Sequence, residues 1–564
     1  MESSTAGSAT ITNHNQIYFE NASTAGSAII NNNSVVQFEG SGTAGDATIN
    51  NKGLMIFSDT SNAGNAAITN TPNGFAAVIF DSAGAAGNNK LSAGSIAGVG
   101  TYSLGANELT VGGNKRSTTV SAIIDGVGGS LVKTGSGTMT LSGVNTYTGG
   151  TTLAGGTVSV GSNANLGDAA GALTFNGGTL QVTGTSFHST GRAINWGAGG
   201  GGFDVASAAN TFTVSQSLGG AGGLNKLGAG TLVLSGTNTY SGGTTLSGGA
   251  VSVGNDANLG NAAGALNFKG GTLRVTGTSF TSTARTINWG AGGGGFDIAD
   301  ATNSFTVGQS LSGTGGLTKS GAGTLVLTGT NSYAAGTMIA GGTLQLGNSG
   351  VTGKIVGAVD VVGTTSAFNV VNADTSGITS ITNGGSVAFF GSTSAASATV
   401  TNNNAMRFND ASTADHATIG NNGYLYFTGT ATAGSATVTA NAGATTAFSD
   451  ASSGGSARFI TNADGAFDIS RLTAAGMAAG SIEGAGNHFL GARQLIVGGN
   501  NLSTTVSGSI ADGGAAGGTG GSLVKSGTGT LTLSGLNTYT GGTTINGGAL
   551  QLGDIGRRAR SRAP

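Results

Sequence analysis

The stretch GTLTLSGLNTYTGGTTINGGALQLG, Gly529–Gly553, decides how this sequence is read. It carries no charge, and apolar residues alternate within it: Leu531 and Leu533 share one face of an extended segment, and Leu550 and Leu552 share another. Thr-rich stretches and Gly-Gly pairs separate the two. A near copy begins at Leu131 (LVKTGSGTMTLSGVNTYTGGTTL), at Leu224 and at Leu317, so the first three copies are spaced by 93 residues, and the fourth begins at Leu523. A unit that recurs in this way is an architectural element rather than a single ligand loop. Each copy reads as a little over one coil of a parallel β-helix, with Gly and Asn at the corners, where the backbone takes positive φ.

Two further periods support the same fold. TAGSATITN at Thr5 returns every 19 residues at Thr24, Thr43 and Asn62, and the series resumes at Ser394, Thr413 and Thr432. Phe19, Phe38 and Phe57, then Phe389, Phe408 and Phe427, keep the same step, each with an apolar residue two positions before it (Ile17, Val36, Met55, Val387, Met406, Leu425). One unit cannot bury such a face alone, but stacked units set like side chains above one another. The third period is a long duplication: SIAGVGTYSLGANELTVGGN from Ser95 matches SIEGAGNHFLGARQLIVGGN from Ser481. The expected fold is therefore all-β: an elongated, right-handed parallel β-helix of the pectin-lyase-like kind, with roughly 25 rungs about 4.8 Å apart. Asn50/Asn51, Asn402/Asn403 and Asn421/Asn422 read equally as side-chain amide ladders down the stack or as turn formers.

The organisation expected is a block of 19-residue repeats over 1–90 and a further β-helix module over 91–130. Three 93-residue-spaced repeats follow over 131–347, then a second block with 19-residue repeats over 348–470. A duplicated module covers 471–522, a fourth repeat covers 523–553, and a divergent basic tail covers 554–564.

Composition narrows the function classes. Gly is 110 of 564 residues without a triplet period and Pro is 2, which excludes collagen. Charged residues are 8 % and the net charge is −2, so no global field favours nucleic acid. Cys is absent, which removes disulfides and thiolate metal sites. No apolar run is long enough for a transmembrane helix, and MESSTAGSATITN lacks the basic and apolar regions of a secretory signal.

The four copies resemble the autotransporter-associated β-strand repeat of type V secretion passengers, G-x-G-T-L-x-L-x-G-x-N-x-Y-x-G-G-T. The matching pairs are Asn145/Tyr147, Asn238/Tyr240, Asn331/Tyr333 and Asn537/Tyr539. The third copy departs from it, with Ala334–Ala335–Gly336 in place of Thr-Gly-Gly. The resemblance implies a cell-surface or secreted passenger, adhesin-like and non-enzymatic. It would meet host surfaces, neighbouring cells or polysaccharide by weak multivalent contact, and would touch the membrane only through an outer-membrane barrel that this chain does not contain. Arg557, Arg558, Arg560 and Arg562 break the composition abruptly, which reads as truncation or a reading-frame shift in preference to a basic tail for an anionic partner.

No catalytic, cofactor-binding or metal-binding residue is assigned. GGGGFDVAS (Gly199–Ser207) and GGGGFDIAD (from Gly292) approach the nonapeptide Ca²⁺ repeat, but that chemistry needs tandem copies; Asp204 and Asp297 stand 93 residues apart and read as turn residues. Asp46, Asp59, Asp81, Asp410, Asp415 and Asp450 also sit near turns. The alternative to a scaffold is a carbohydrate-active β-helix enzyme, which requires carboxylates gathered on neighbouring rungs; a fragment without independent function is the third reading. His14, His188, His416 and His488 show no metal-ligand spacing. Trp196 and Trp289 read as core fillers. Lys133, Lys226, Lys319 and Lys525, which repeat with the motif, read as solvated residues of the rung face.

Overall fold

A computed structural model describes residues 3–72 and 74–553; the Arg557–Arg562 run lies outside them. They are all-β and built as parallel β-solenoid rungs, and no α-helix occurs among the described residues. Two compact units divide the chain, one of residues 1–274 and 284–288, the other of 275–283 and 289–564.

In the first unit, Thr10–Asn13, Ile29–Asn32, Thr48–Asn51, Ala67–Asn70 and Ser95–Gly98 pair in parallel and in register. A second sheet stacks Gln16–Phe19, Val35–Phe38, Leu54–Asp59, Ala77–Ser82 and Thr101–Ser103. Between rungs the turn is fixed by single bridges, Thr5 to Thr24 to Thr43 to Asn62. The recurrent TAG turn is explained at Gly45, whose φ is +60° and whose missing Cβ would lie 2.7 Å from the Gly26 carbonyl oxygen. Thr43 completes that turn by accepting the Gly45 amide at 3.1 Å. A third sheet starts at Lys90–Ala93 and continues through Glu108–Val111, Ser130–Lys133, Thr151–Leu153, Leu173–Phe175 and Ile194–Trp196.

The second unit repeats the plan. One sheet runs from Gly294–Ile298 to Ser481–Glu483, and another from Ser304–Val307 to Ser509–Ala511, all in parallel steps.

Alternation puts the expected apolar residues inside. Phe19, Phe38, Phe57 and Phe80 stack with centroids 4.7, 4.8 and 5.3 Å apart and planes within 9° of parallel. Phe389, Phe408, Phe427 and Phe448 stack in the second unit at 4.8, 5.0 and 4.7 Å, with planes within 13° of parallel. Phe80 and Phe448 close these stacks although they stand outside the 19-residue step, because the extra residues of their rungs are taken up in turns.

The Asn residues satisfy both of their expected roles. Within the first unit, Asn13 donates to Asn32 at 2.7 Å, Asn32 to Asn51 at 2.7 Å and Asn51 to Asn70 at 2.8 Å, all buried. Asn383, Asn402 and Asn421 form the matching ladder in the second unit at 2.7 Å per step. The same side chains shape the turns, since Asn32 also accepts the Ser34 amide and Asn383 the Gly385 amide. A second ladder runs along the outside, from Asn462 to Asn441 to Asn422 to Asn403, at 2.9, 2.6 and 2.8 Å.

Candidate functional site

The 93-residue repeats bring Lys, Asn, Tyr, Asp and Trp back in fixed positions. Each copy supplies two strands of one rung and two of the next. Ser130–Lys133 pairs with Thr151–Leu153, and Thr138–Leu141 pairs with Thr157–Val160. In the first three copies its Asn is buried at a corner and ties neighbouring rungs: Asn145 accepts the Ile124 amide at 2.8 Å and donates to the Asn165 carbonyl at 2.5 Å. Asn238 repeats this with Leu218 and Asn258. The Tyr hydroxyl meets a Thr four residues on, at 2.7 Å for Tyr147/Thr151 and Tyr240/Thr244. Tyr333 keeps the bond to Thr337 at 2.6 Å despite the Ala334–Ala335–Gly336 turn. That turn survives because Gly336, at φ +80°, holds the one position that requires positive φ.

The repeated lysines correct the sequence reading. They do not lie on the solvated face: Lys133, Lys226, Lys319 and Lys525 are each at most 2 % exposed. The physical reason is the strand period itself. Leu224 and Lys226 are two apart, so an inward Leu carries the Lys inward with it. Each ammonium then turns to a corner and caps backbone carbonyls. Lys226 donates to Leu227 at 2.5 Å, Gly228 at 3.0 Å and Gly248 at 3.2 Å, and Lys319 donates to Ser320, Gly321 and Gly341 at 2.7, 2.9 and 3.0 Å. Burial pulls both lysines down to about 8, against the smaller opposing pull of Asp204 on Lys226 and of Asp297 on Lys319.

Asp204 and Asp297 thus repeat as countercharges beside buried lysines. The Asp204 carboxylate also accepts Gln181 at 2.7 Å. The glycines before it answer to packing, because a Cβ on Gly201 would lie 2.4 Å from the Phe175 ring. Asp59, Asp410 and Asp450 have φ of 55–57° at corners, and each carboxylate accepts a backbone amide of the preceding rung, Gly40, Gly391 or Gly429, at 2.9 Å. Asp46 accepts Asn65 at 2.9 Å, and Asp415 holds His416 at 2.6 Å. Asp81 pairs with Ser58 in the sheet register. Among the described residues, no group of three or more His, Asp or Glu is placed to hold a metal ion. His14 and His188 stand apart, the latter beside Asn210 at 3.1 Å, and His488 is wholly buried. Trp196 and Trp289 are 8 % exposed; Trp196 packs on Phe175, and its indole N–H donates to the Gly222 carbonyl at 3.3 Å.

Two residues escaped the sequence reading. Arg192 and Arg285 are 2 % exposed and thread into the corner beside the 3₁₀ turns Asn163–Leu166 and Asp256–Leu259. Arg192 donates to the Asn163 side chain and to the carbonyls of Asn163, Gly167, Asp168 and Gly171. Arg285 does the same against Asp256, Gly260, Asn261 and Gly264, and its guanidinium Nε lies 2.9 Å from the Asp256 carboxylate. The available signal was that Arg recurs at the 93-residue step within RAINW and RTINW.

Repetition in this chain therefore serves corners and core. The class it defines is a repeat-built β-solenoid. Residues 131–160, 224–253, 317–346 and 523–552 match the passenger-associated-transport-repeat model, so these four segments are repeats of autotransporter passengers. A curated relative, the adhesin BmaC autotransporter of Brucella suis biovar 1 (strain 1330), is 34 % identical over 138 residues, which is 24 % of this chain. The chain spans 4 % of the length of that relative. No solved structure matches. No helix of the described residues is long and apolar enough to cross a membrane.

Proposed function

We propose that the chain is part of a surface-exposed or secreted passenger that acts as a non-enzymatic, adhesin-like scaffold. One observation carries this reading: the polar residues that recur with the repeats are spent on holding the solenoid together. Lys226, Asn238, Tyr240 and Arg285 all face corners or core, and Asp204 pairs with Gln181. That leaves a repetitive Thr-, Asn- and Ser-rich exterior for contact, which suits weak binding multiplied over many rungs. The name of the Brucella suis relative supports the adhesive role. On this reading the two 19-residue blocks, 1–90 and 348–470, are spacers flanking the passenger repeats of 131–347 and 523–553.

Proteolysis of intact cells that express the full gene tests the placement. Cleavage of this chain by added protease, with cytoplasmic markers spared, is the expected result; full protection of the chain on intact cells contradicts it. Beads coated with the purified chain test adhesion, and retention on host or bacterial cells above uncoated beads is expected.

A further inference from the structure

The outer face of one sheet in the second unit departs from the small-residue exterior. Its strands Ser386–Phe390, Ala405–Phe408, Tyr424–Phe427, Thr445–Asp450 and Ala466–Leu472 place Ser386, Ala388, Ala405, Thr445, Ala447 and Ala466 on the outer side of the alternation, with Ala388 and Ala447 buried. Among these stand Arg407, Tyr424 and Tyr426. The two tyrosine rings are parallel within 6° with centroids 6.0 Å apart, and the Arg407 guanidinium lies 5.5 Å from the Tyr426 centroid. Tyr424 is 51 % exposed.

Two departures from the repeat rule complete a trough here. The first is a β-bulge. Ala447 pairs with Asp468 but Ser449 pairs with Arg471, so one extra residue enters the strand Ala466–Leu472 and turns Arg471 out to solvent. The second is a loop. Asp512–Ser522 has eleven residues where the earlier copy of this module, Gly126–Ser130, has five. The longer loop is pinned over the sheet: the Ala515 amide donates to the Asp468 carboxylate at 2.8 Å, and the Ala516 amide to the Ser470 hydroxyl at 3.0 Å. The result is two adjoining depressions of about 250 and 390 Å³ that share Tyr426, Ala447 and Arg471. The first holds Arg407 and Arg471 with no carboxylate in its wall, and the second holds Arg471 with Asp468, whose carboxylate is taken up by the Ala515 and Ser470 amides. Neither guanidinium has an ion-pair partner among the described residues. In a chain with 8 % charged residues, two unpaired arginines beside two parallel tyrosines form a distinct chemical feature.

We propose that this trough binds a carboxylate-bearing glycan of the uronic-acid type. The guanidinium forks of Arg407 and Arg471 take the sugar carboxylates, and Tyr424 and Tyr426 take the C–H surfaces of the pyranose rings. An acidic peptide fits less well. Peptides are held on sheets by adding a strand to a free edge, and here the rungs on either side already fill the hydrogen bonds of Tyr424–Phe427 and Thr445–Asp450. The proposal rests on the adhesive reading above and assigns it a ligand class and a place.

Calorimetric titration of the purified chain with oligogalacturonate tests it, with a neutral maltooligosaccharide of equal length and poly-glutamate as comparators. Binding of the uronate oligomer is expected to weaken as NaCl is raised and to exceed binding of both comparators. Arg471→Ala should raise its Kd about tenfold, the value of one lost charge-assisted pair, with partial recovery in Arg471→Lys. Both arginines are exposed, so thermal melting should be unchanged; Thr445→Glu, which adds a repelling charge to the trough and leaves both arginines in place, should weaken binding in the same way. Unchanged affinity in the Arg407→Ala/Arg471→Ala double variant, equal binding of the neutral oligomer, or equal binding of poly-glutamate overturns the proposal. Bead adhesion by the same double variant separates the two readings. If wild-type beads adhere and the double variant adheres equally, the site is wrong and the scaffold reading stands. If wild-type beads do not adhere, the adhesive reading falls whatever the titration gives.

Discussion

At the scale of single residues, the unusual feature is how much polar chemistry lies inside a glycine-rich wall. Asn402 is wholly buried, accepts Asn383, and donates to both Asn421 and the Tyr424 carbonyl. Asn402→Ala removes one bond from each of three groups, of which Asn383 keeps the Ala405 carbonyl and Asn421 keeps the Gly423 amide, and we expect a loss of about 1–3 kcal/mol. Hydrogen exchange over Thr399–Asn421 should report it; unchanged protection would show that the ladder adds nothing to stability. His488 shows what happens where a copy diverges. In the earlier copy the same position is Tyr102, whose hydroxyl donates to the Ala97 carbonyl at 2.6 Å. His488 is buried with no good hydrogen bond to either ring nitrogen. Burial pushes its pKa down to about 4 from 6.5, and the nearby Ser509 and Gly486 backbone offsets this only in part. The unfolded chain therefore binds the proton first as pH falls. Stability of the second unit should be full above pH 6.5, decline between 6.5 and 4, and level off below, by about 3 kcal/mol in all. His488→Tyr should flatten that limb of a urea-melt series against pH, and a variant with the wild-type slope would remove His488 as its cause.

At the scale of strands and corners, the periods made the fold legible and the phase of the alternation hid part of the chemistry. Phe19, Phe38 and Phe57 were readable because their rungs have equal length. Phe80 was not, because the rung that carries it is longer and breaks the equal spacing. At Lys226 residue type and position conflict: a charged side chain suggests solvent, yet Leu224 already fixes the inward phase, and position wins. Arg192 was missed for a related reason, since nothing local marks a guanidinium that is satisfied by carbonyls from 21 to 29 residues earlier in the chain. The lysine corner is testable. Lys226→Met removes the donor shared by Leu227, Gly228 and Gly248, and at pH 7 we expect a loss of about 1–3 kcal/mol from the uncapped carbonyls. Because the folded-state pKa of about 8 lies below the ordinary 10.5, the unfolded chain holds the proton more tightly, and wild-type stability should rise as pH climbs through that window. The Met variant should lose the Lys226 share of this rise in thermal melts between pH 8 and 10.5, and a variant as stable as wild type at pH 7 would mean that the cap is idle.

At the scale of the whole molecule, the consequence of stacking is that energy stays local. Each rung touches the rungs before and after it through backbone ladders, Asn ladders and ring stacks, so stability is close to a sum of rung terms and neighbour terms. Phe57→Ala makes the sharpest test of this. The ring is wholly buried between Phe38 and Phe80, and its removal should cost about 3–5 kcal/mol, from lost transfer free energy and the cavity left behind. In a globular core such a loss would spread through the domain and lower its global stability. Here hydrogen-exchange protection should fall in Val35–Phe38, Leu54–Asp59 and Ala77–Ser82, while Thr151–Leu153 and Leu173–Phe175 of the same unit keep their wild-type protection. Uniform loss of protection across the first unit would show that its rungs unfold as one body, and would contradict the rung-by-rung account of how this chain is held together.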